Sequence, residues 1–187
     1  MTEQEWQTST DSSAMYQLMR ESTTLIKTRW QGWVPVRRFR WSERRDRLFR
    51  AALVVRVDST VDLGATPDWL FDLTYDIVRM EAPHGDLWQR ARAFEAERAR
   101  QAALLREFAG NPFRQPVLPS GWDQWADGLL VGMAGRIDTE GDFAAMPVLA
   151  DALQDAGVVD DAILSHCREP LEHRCGCWVL DLLLGRQ

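Results

Sequence analysis

The chain runs from Asp86 to Phe108 without a glycine or a proline. Ala, Arg, Glu and Leu dominate that stretch, and all four are strong helix formers. It is expected to be the longest helix, with Leu87, Ala91, Phe94, Leu105 and Phe108 on its buried side. Gly110 follows as a natural stop. A helix of that length organises the rest of the chain around helix packing. No segment reads as a strong strand, and there is no repeat or low-complexity tract. The expected class is all-α: a multi-helix single domain over 1–187, with one long central helix and a C-terminal helical group.

Smaller signals place the other helices. Thr2 and Glu5 form a capping-box pattern, and Asp11 or Ser12 can cap a second helix. Met15, Leu18, Met19, Leu25 and Ile26 fall on one helical face, before Gly32 and Pro35 interrupt. Ser42 opens a helical pattern with Leu48, Phe49, Ala52, Leu53 and Val57 as its apolar side. Ala51 to Val55 has strand propensity, but helical spacing in its flanks favours helix. Thr66-Pro67-Asp68 combines a capping hydroxyl, a proline at the first helical position and an acid in the first turn. Trp69, Leu70, Leu73, Ile77 and Met80 then follow at core spacing, and Pro83 and Gly85 end that helix. Beyond the Pro-rich connection 111–121, helices are expected over about 128–137, 147–156 (closed by Gly157), from Asp160 or Asp161, and over about 177–184. That connection could join two lobes, 1–110 and 122–187.

A chain of 187 residues suits one domain and can bury most of its unfolded surface without staples. Hydrophobic residues make up 45% and charged residues 27%, which speaks against disorder. Nine tryptophans are read chiefly as packing anchors. Lys27 is the lone lysine among 22 basic residues, a bias that a GC-rich genome produces. The net charge of −6 argues against general affinity for nucleic acid. No secretory leader, no membrane span and no disulfide framework are expected, which makes the cytoplasm the default compartment.

Two segments stand out, Leu104-Leu105-Arg106-Glu107-Phe108-Ala109-Gly110-Asn111-Pro112-Phe113-Arg114 and Leu149-Ala150-Asp151-Ala152-Leu153-Gln154-Asp155-Ala156-Gly157. They are followed by His166-Cys167-Arg168 and His173-Arg174-Cys175-Gly176-Cys177-Trp178, through to Leu184. In these segments the sequence resembles a planctomycete protein family of no established function. About 80 C-terminal residues share the likeness, and the first 20 share it loosely. The resemblance implies a helical bacterial protein and supplies no chemistry. In that family a Cys-rich run follows Leu-Arg-Leu-Phe, whereas here Leu48-Phe49 is followed by Arg50-Ala51-Ala52 without cysteine.

Three constellations could carry function. His166, Cys167, His173, Cys175 and Cys177 gather all three cysteines and two of the three histidines within twelve residues. Imidazole and thiolate are the donors of a tetrahedral zinc site, and an ion there would add directly to folding free energy. The plainer reading makes Cys167 and Cys177 small core residues and His166 a cation at a helix C-terminus. The cofactor expectation is therefore none, or one structural zinc.

The second constellation interleaves Arg37, Arg38, Arg40, Arg44, Arg45, Arg47 and Arg50 with Trp33, Phe39, Trp41 and Phe49. Guanidinium on phosphate and rings on bases would suit a nucleic-acid surface. Its candidate residues are Arg37, Arg38, Arg40, Trp41, Arg44, Arg45 and Arg47. Pairing of these arginines with Glu43, Asp46 and other acids is the favoured alternative.

The third is a hydrolase site, for which no nucleophile elbow, P-loop or His-Glu-x-x-His is present. His166 and Cys167 are adjacent, so on a helix they point about 100° apart. Asp151 and Asp155 lie one helical turn apart, a spacing common on solvated faces. No catalytic residue is assigned. By elimination, the expectation is a non-enzymatic helical module acting on a protein partner of unspecified identity, with nucleic acid as the less favoured partner.

Overall fold

The computed structural model describes residues 1–20, 25–28, 32–35, 42–54, 69–81, 83–170 and 172–186. The described elements are α1 (Glu3–Thr8), α2 (Ser12–Arg20), β1 (Leu25–Thr28), β2 (Gly32–Pro35), α3 (Glu43–Val54), α4 (Trp69–Glu81) and α5 (Leu87–Ala109). They continue with α6 (Leu129–Glu140), α7 (Met146–Asp155), α8 (Asp161–Arg168) and α9 (Trp178–Leu183). Two short 3-10 segments, Trp122–Gly128 and Phe143–Ala145, lead into α6 and α7. The fold is helical, as its patterning predicts. Among the described residues, no helix is long and apolar enough to cross a membrane.

Helix starts follow local chemistry. Thr2 and Glu5 form the reciprocal capping box of α1, and Ser42 Oγ accepts from Arg45 N–H at α3. Asp86 and Gln89 exchange bonds of 2.8 and 3.1 Å at the start of α5, the Gln form of the same box. Asp160 caps α8 by accepting from the amides of Ala162 and Ile163. The helix reading of Ala51–Val54 holds. The Thr66-Pro67-Asp68 start and the apolar Val57 lie outside the described residues.

Leu25 and Ile26 do not extend the face of α2. They open an antiparallel hairpin in which Leu25 faces Pro35 and Thr28 faces Gly32. Thr23, Thr24, Ile26 and Thr28 make this stretch rich in β-branched residues, which favours strand over helical continuation.

The described residues gather into two compact units, one of Met1–Arg106 with Asn111–Phe113 and one of Glu107–Gly110 with Arg114–Gln187. The division falls inside α5 rather than in the 111–121 connection. That connection is tied down: Asn111 Nδ2 donates to Glu3 Oε1 in the first unit. In the second, Val117 N–H donates to Asp160 Oδ2.

In the first unit Trp6, Met15, Phe49, Leu53, Leu70, Leu73, Ile77 and Leu105 are almost fully buried. The early part of α5 departs from expectation. Leu87 is 79% exposed and Trp88 76%, Ala91 is exposed, and Phe94 is half-buried, edge-on to Phe71. Residues that form helix well on their own need no buried face to hold the first turns, so apolar spacing overestimates burial there. In the second unit α6, α7, α8 and α9 close around Leu130, Ala134, Leu149, Leu153, Ile163, Val179 and Leu180.

Candidate metal centre

The last turn of α5 places an acid in an apolar setting. Glu107 lies three residues after Leu104 and one before Phe108, and all three are buried. Its carboxylate meets two imidazoles and a thiol. His166 projects from the last turn of α8, His173 from the loop that follows, and Cys177 stands at the start of α9. His166 Nε2 lies 3.2 Å from Glu107 Oε2 and 3.2 Å from Cys177 Sγ. His173 Nδ1 lies 3.3 Å from Glu107 Oε1. One donor atom from each of Glu107, His166, His173 and Cys177 lies within 4.8 Å of all the others, and all four residues are buried.

These separations bear on what the cluster can hold. Zinc bonds of about 2.0–2.3 Å in a tetrahedron separate nitrogen and oxygen donors by roughly 3.3 Å, and nitrogen from sulfur by roughly 3.6 Å. The three close contacts are at or just under those edges, whereas the set as a whole spans up to 4.8 Å, so the wider-spaced donors would draw in around an ion. Carboxylate and thiolate together carry two negative charges, which offset a divalent cation in a dry interior. One buried atom of the cluster, His173 Nε2, also lacks a hydrogen bond, and Glu107 Oε2 is met by the His166 ring alone at 3.2 Å. Such an orphan is uncommon in a packed core. The donor set fits a zinc-class ion and does not fit magnesium or calcium, which take oxygen ligands.

The electrostatics agree with an ionised carboxylate. Burial pushes the Glu107 carboxyl up, but the adjacent His166 and His173 rings more than reverse this and bring it to about 2. The Cys177 thiol is pushed well above its usual value, first by burial and then by the Glu107 charge. A coordinated cation reverses that preference, because a thiol bound to zinc is deprotonated.

Aromatic packing fixes the rings. His166 lies edge-on to His173 at 4.9 Å and 5.2 Å from the Trp178 ring. Gly110 ends α5 with φ +67°. A Cβ added there would come within 2.8 Å of Trp178 Cδ2, so glycine serves both the turn and the ring's seat.

The structure brings together three of the five residues that the sequence offered as ligands. Cys167 is fully buried among the apolar residues of the second unit, with its thiol raised to about 12 by burial and then by the Glu107 charge. Cys175 is exposed, and its thiol donates to the Asp138 carbonyl oxygen at 3.3 Å. Cys175 and Gly176 form a tight turn, which breaks the alternation of extended chain, so Cys175 turns to Asp138 while Cys177 turns inward. Glu107 is the candidate donor the sequence reading missed. Its signal was the spacing Leu104, Glu107, Phe108, which sets an acid on an apolar helical face.

The arginine-aromatic segment is only partly described, since Arg37, Arg38, Arg40 and Trp41 lie outside the described residues. On α3, Arg45 is buried, 4% exposed, where a phosphate could not reach it. Arg44 is half-buried and Arg47 exposed. Arg50 pairs with Asp46 at 2.7 Å, the acid pairing anticipated for this surface. Asp151 is exposed and pairs with Arg168 at 2.8 Å; Asp155 is exposed.

Comparison with protein-family models, with curated proteins and with solved structures found no match.

Proposed function

We propose that this chain is a zinc-stapled helical protein that works through protein contacts rather than catalysis. The observation that carries the reading is the closed, buried set of Glu107, His166, His173 and Cys177. Structural zinc sites use four protein donors, whereas catalytic ones keep a position open for water or substrate. A carboxylate in the set is less common than all-nitrogen-and-sulfur ligation, but zinc accepts it at similar distance. The ion would join the end of α5 to α8, to the loop after it and to the start of α9. The contact reading draws on Phe71, Tyr75, Leu87 and Trp88, which are large, apolar and more than half exposed on α4 and α5.

Native mass spectrometry of untagged protein, purified without chelator, tests the metal. One zinc per chain is expected, lost in a His173→Ala/Cys177→Ser variant and retained in Cys175→Ser. A wild-type chain that takes up no zinc even after reconstitution would refute the site. For the contact reading, Leu87→Glu/Trp88→Glu should abolish a partner or self-association seen with the wild type. A variant and wild type that behave alike in sedimentation and capture would count against it.

A further inference from the structure

Two of the four donors, His173 and Cys177, sit on a stretch that belongs to no helix until α9 begins at Trp178. Something other than helix geometry must hold their side chains at the site. One fixed point is the site itself, where Arg174 N–H donates to Glu107 Oε1 at 3.3 Å. A tight turn follows, with Cys177 N–H donating to the Arg174 carbonyl at 2.9 Å and Gly176 in the left-handed region at φ +92°. The other fixed point lies on α6. Asp138 Oδ1 accepts from Gly176 N–H at 3.4 Å, and the Asp138 carbonyl accepts from the Cys175 thiol. The second carboxylate oxygen, Oδ2, pairs with the Arg186 guanidinium. Arg186 is itself tied to α9, because its N–H donates to the Asp181 carbonyl at 2.8 Å.

We infer that Asp138 is a positioning residue for the metal centre, holding the turn between His173 and Cys177 in ligand-ready form, with Arg186 orienting its carboxylate. This rests on the zinc reading above. Asp138 is not among the four donors. Its carboxylate grips Gly176, the residue immediately before Cys177, so loss of that side chain loosens the turn that aims the thiolate, while the main-chain bond to Cys175 remains. Partners of this kind, once removed, typically weaken metal affinity about 10- to 100-fold. A turn that is already formed loses less freedom when the ion binds, which is how such a residue raises affinity without a bond to the metal.

The test is competition for zinc against a chromophoric chelator, alongside unfolding of the metal-free and metal-loaded forms. Asp138→Ala should still bind one ion per chain, but about 10- to 100-fold more weakly. Asp138→Asn keeps an acceptor for Gly176 and loses the ion pair, and Arg186→Gln loses the ion pair alone; both should fall between wild type and Asp138→Ala. If Asp138→Ala does not fold, these two variants decide. Arg136→Gln removes another ion pair of α6, with Glu140 at 3.5 Å, and should change nothing. Cobalt-loaded Asp138→Ala should show an altered visible ligand-field spectrum, because the thiolate is less firmly placed. A residue that merely stabilises the fold would lower the metal-free and metal-loaded forms equally and leave affinity within about twofold of wild type. That outcome overturns the inference while the zinc site stands. Failure of the wild type to bind any ion overturns the zinc reading itself, and the inference with it.

Discussion

Gln101 and Glu107 lie six residues apart on α5, both buried, and the surroundings they meet differ in kind. Gln101 sits in a network centred on its amide and two hydroxyls. Its Oε1 accepts from Ser12 Oγ at 2.8 Å, and its Nε2 donates to Thr74 Oγ1 at 2.9 Å and approaches Glu97 Oε1 at 3.4 Å. Thr74 Oγ1 also donates to the Leu70 carbonyl at 2.7 Å. The amide is suited to this because it both donates and accepts, and its neighbours use both capacities. Glu107 can only accept, and it sits among two imidazoles and a thiol with one ring nitrogen, His173 Nε2, left without a partner. A satisfied hydrogen-bond network specifies packing. A cluster of ionisable donors this close together has the composition of a metal site. The difference separates a polar core from a candidate metal site when both are buried.

The comparison breaks most decisively at Glu107. Glu107→Ala strands two buried imidazoles and is expected to destabilise the protein by about 3–5 kcal/mol, as removal of one buried partner does. Chemical denaturation should show this loss together with loss of bound zinc. A cost under 1 kcal/mol would place Glu107 with ordinary surface acids.

Next is Gly110→Ala. The left-handed backbone and the close approach to Trp178 together should cost about 2–4 kcal/mol, with a change in Trp fluorescence as the ring beside His166 shifts. Unchanged fluorescence and stability would mean that the ring relocates freely.

Gln101→Leu should be milder, about 1–3 kcal/mol from hydrogen bonds lost to Ser12 and Thr74. The cost should be the same with and without chelator. A chelator-dependent cost would show that the two clusters are coupled and that the contrast between them is false.

The smallest effect concerns Tyr16, whose hydroxyl donates to Asp46 Oδ1 at 2.6 Å and accepts from Arg50. Burial, and then Asp46, raise its ionisation to about 12. A phenol held neutral in the folded state contributes stability that is complete below pH 10. That stability is lost as pH rises toward 12. Ultraviolet titration of the folded protein should show a step near pH 12 that Tyr16→Phe removes.

Much of the helical plan was legible because caps and breakers are local. The Thr2–Glu5 box, the Asp86 start, the Gly110 stop and the Asp160 cap all act within four residues. The hairpin was misread because Leu25 and Ile26 kept helical spacing while the residues around them carried strand propensity. The exposed start of α5 was misread because the same spacing serves a buried face and a bare one. At the site, sequence found His166, His173 and Cys177, since proximity along the chain brings them near in space. It could not separate Cys175 from Cys177, because which thiol turns inward depends on a bond to Asp138. Nor could it reach Glu107, which lies 59 residues before His166 and joins the cluster only through tertiary packing.

That separation has a consequence for how the site assembles and how the chain can be cut. His166, His173 and Cys177 close small loops and can find one another early, whereas Glu107 must close a loop of about 60 residues, with a larger entropic cost. The three local donors would then form an incomplete shell that the last turn of α5 completes. A fragment beginning in the Pro-rich connection would carry every helix from α6 to α9 and still lack a ligand, along with the glycine that seats Trp178. The natural cut for an isolated C-terminal unit therefore lies upstream of Glu107, inside the longest helix, where sequence gives no sign of a boundary.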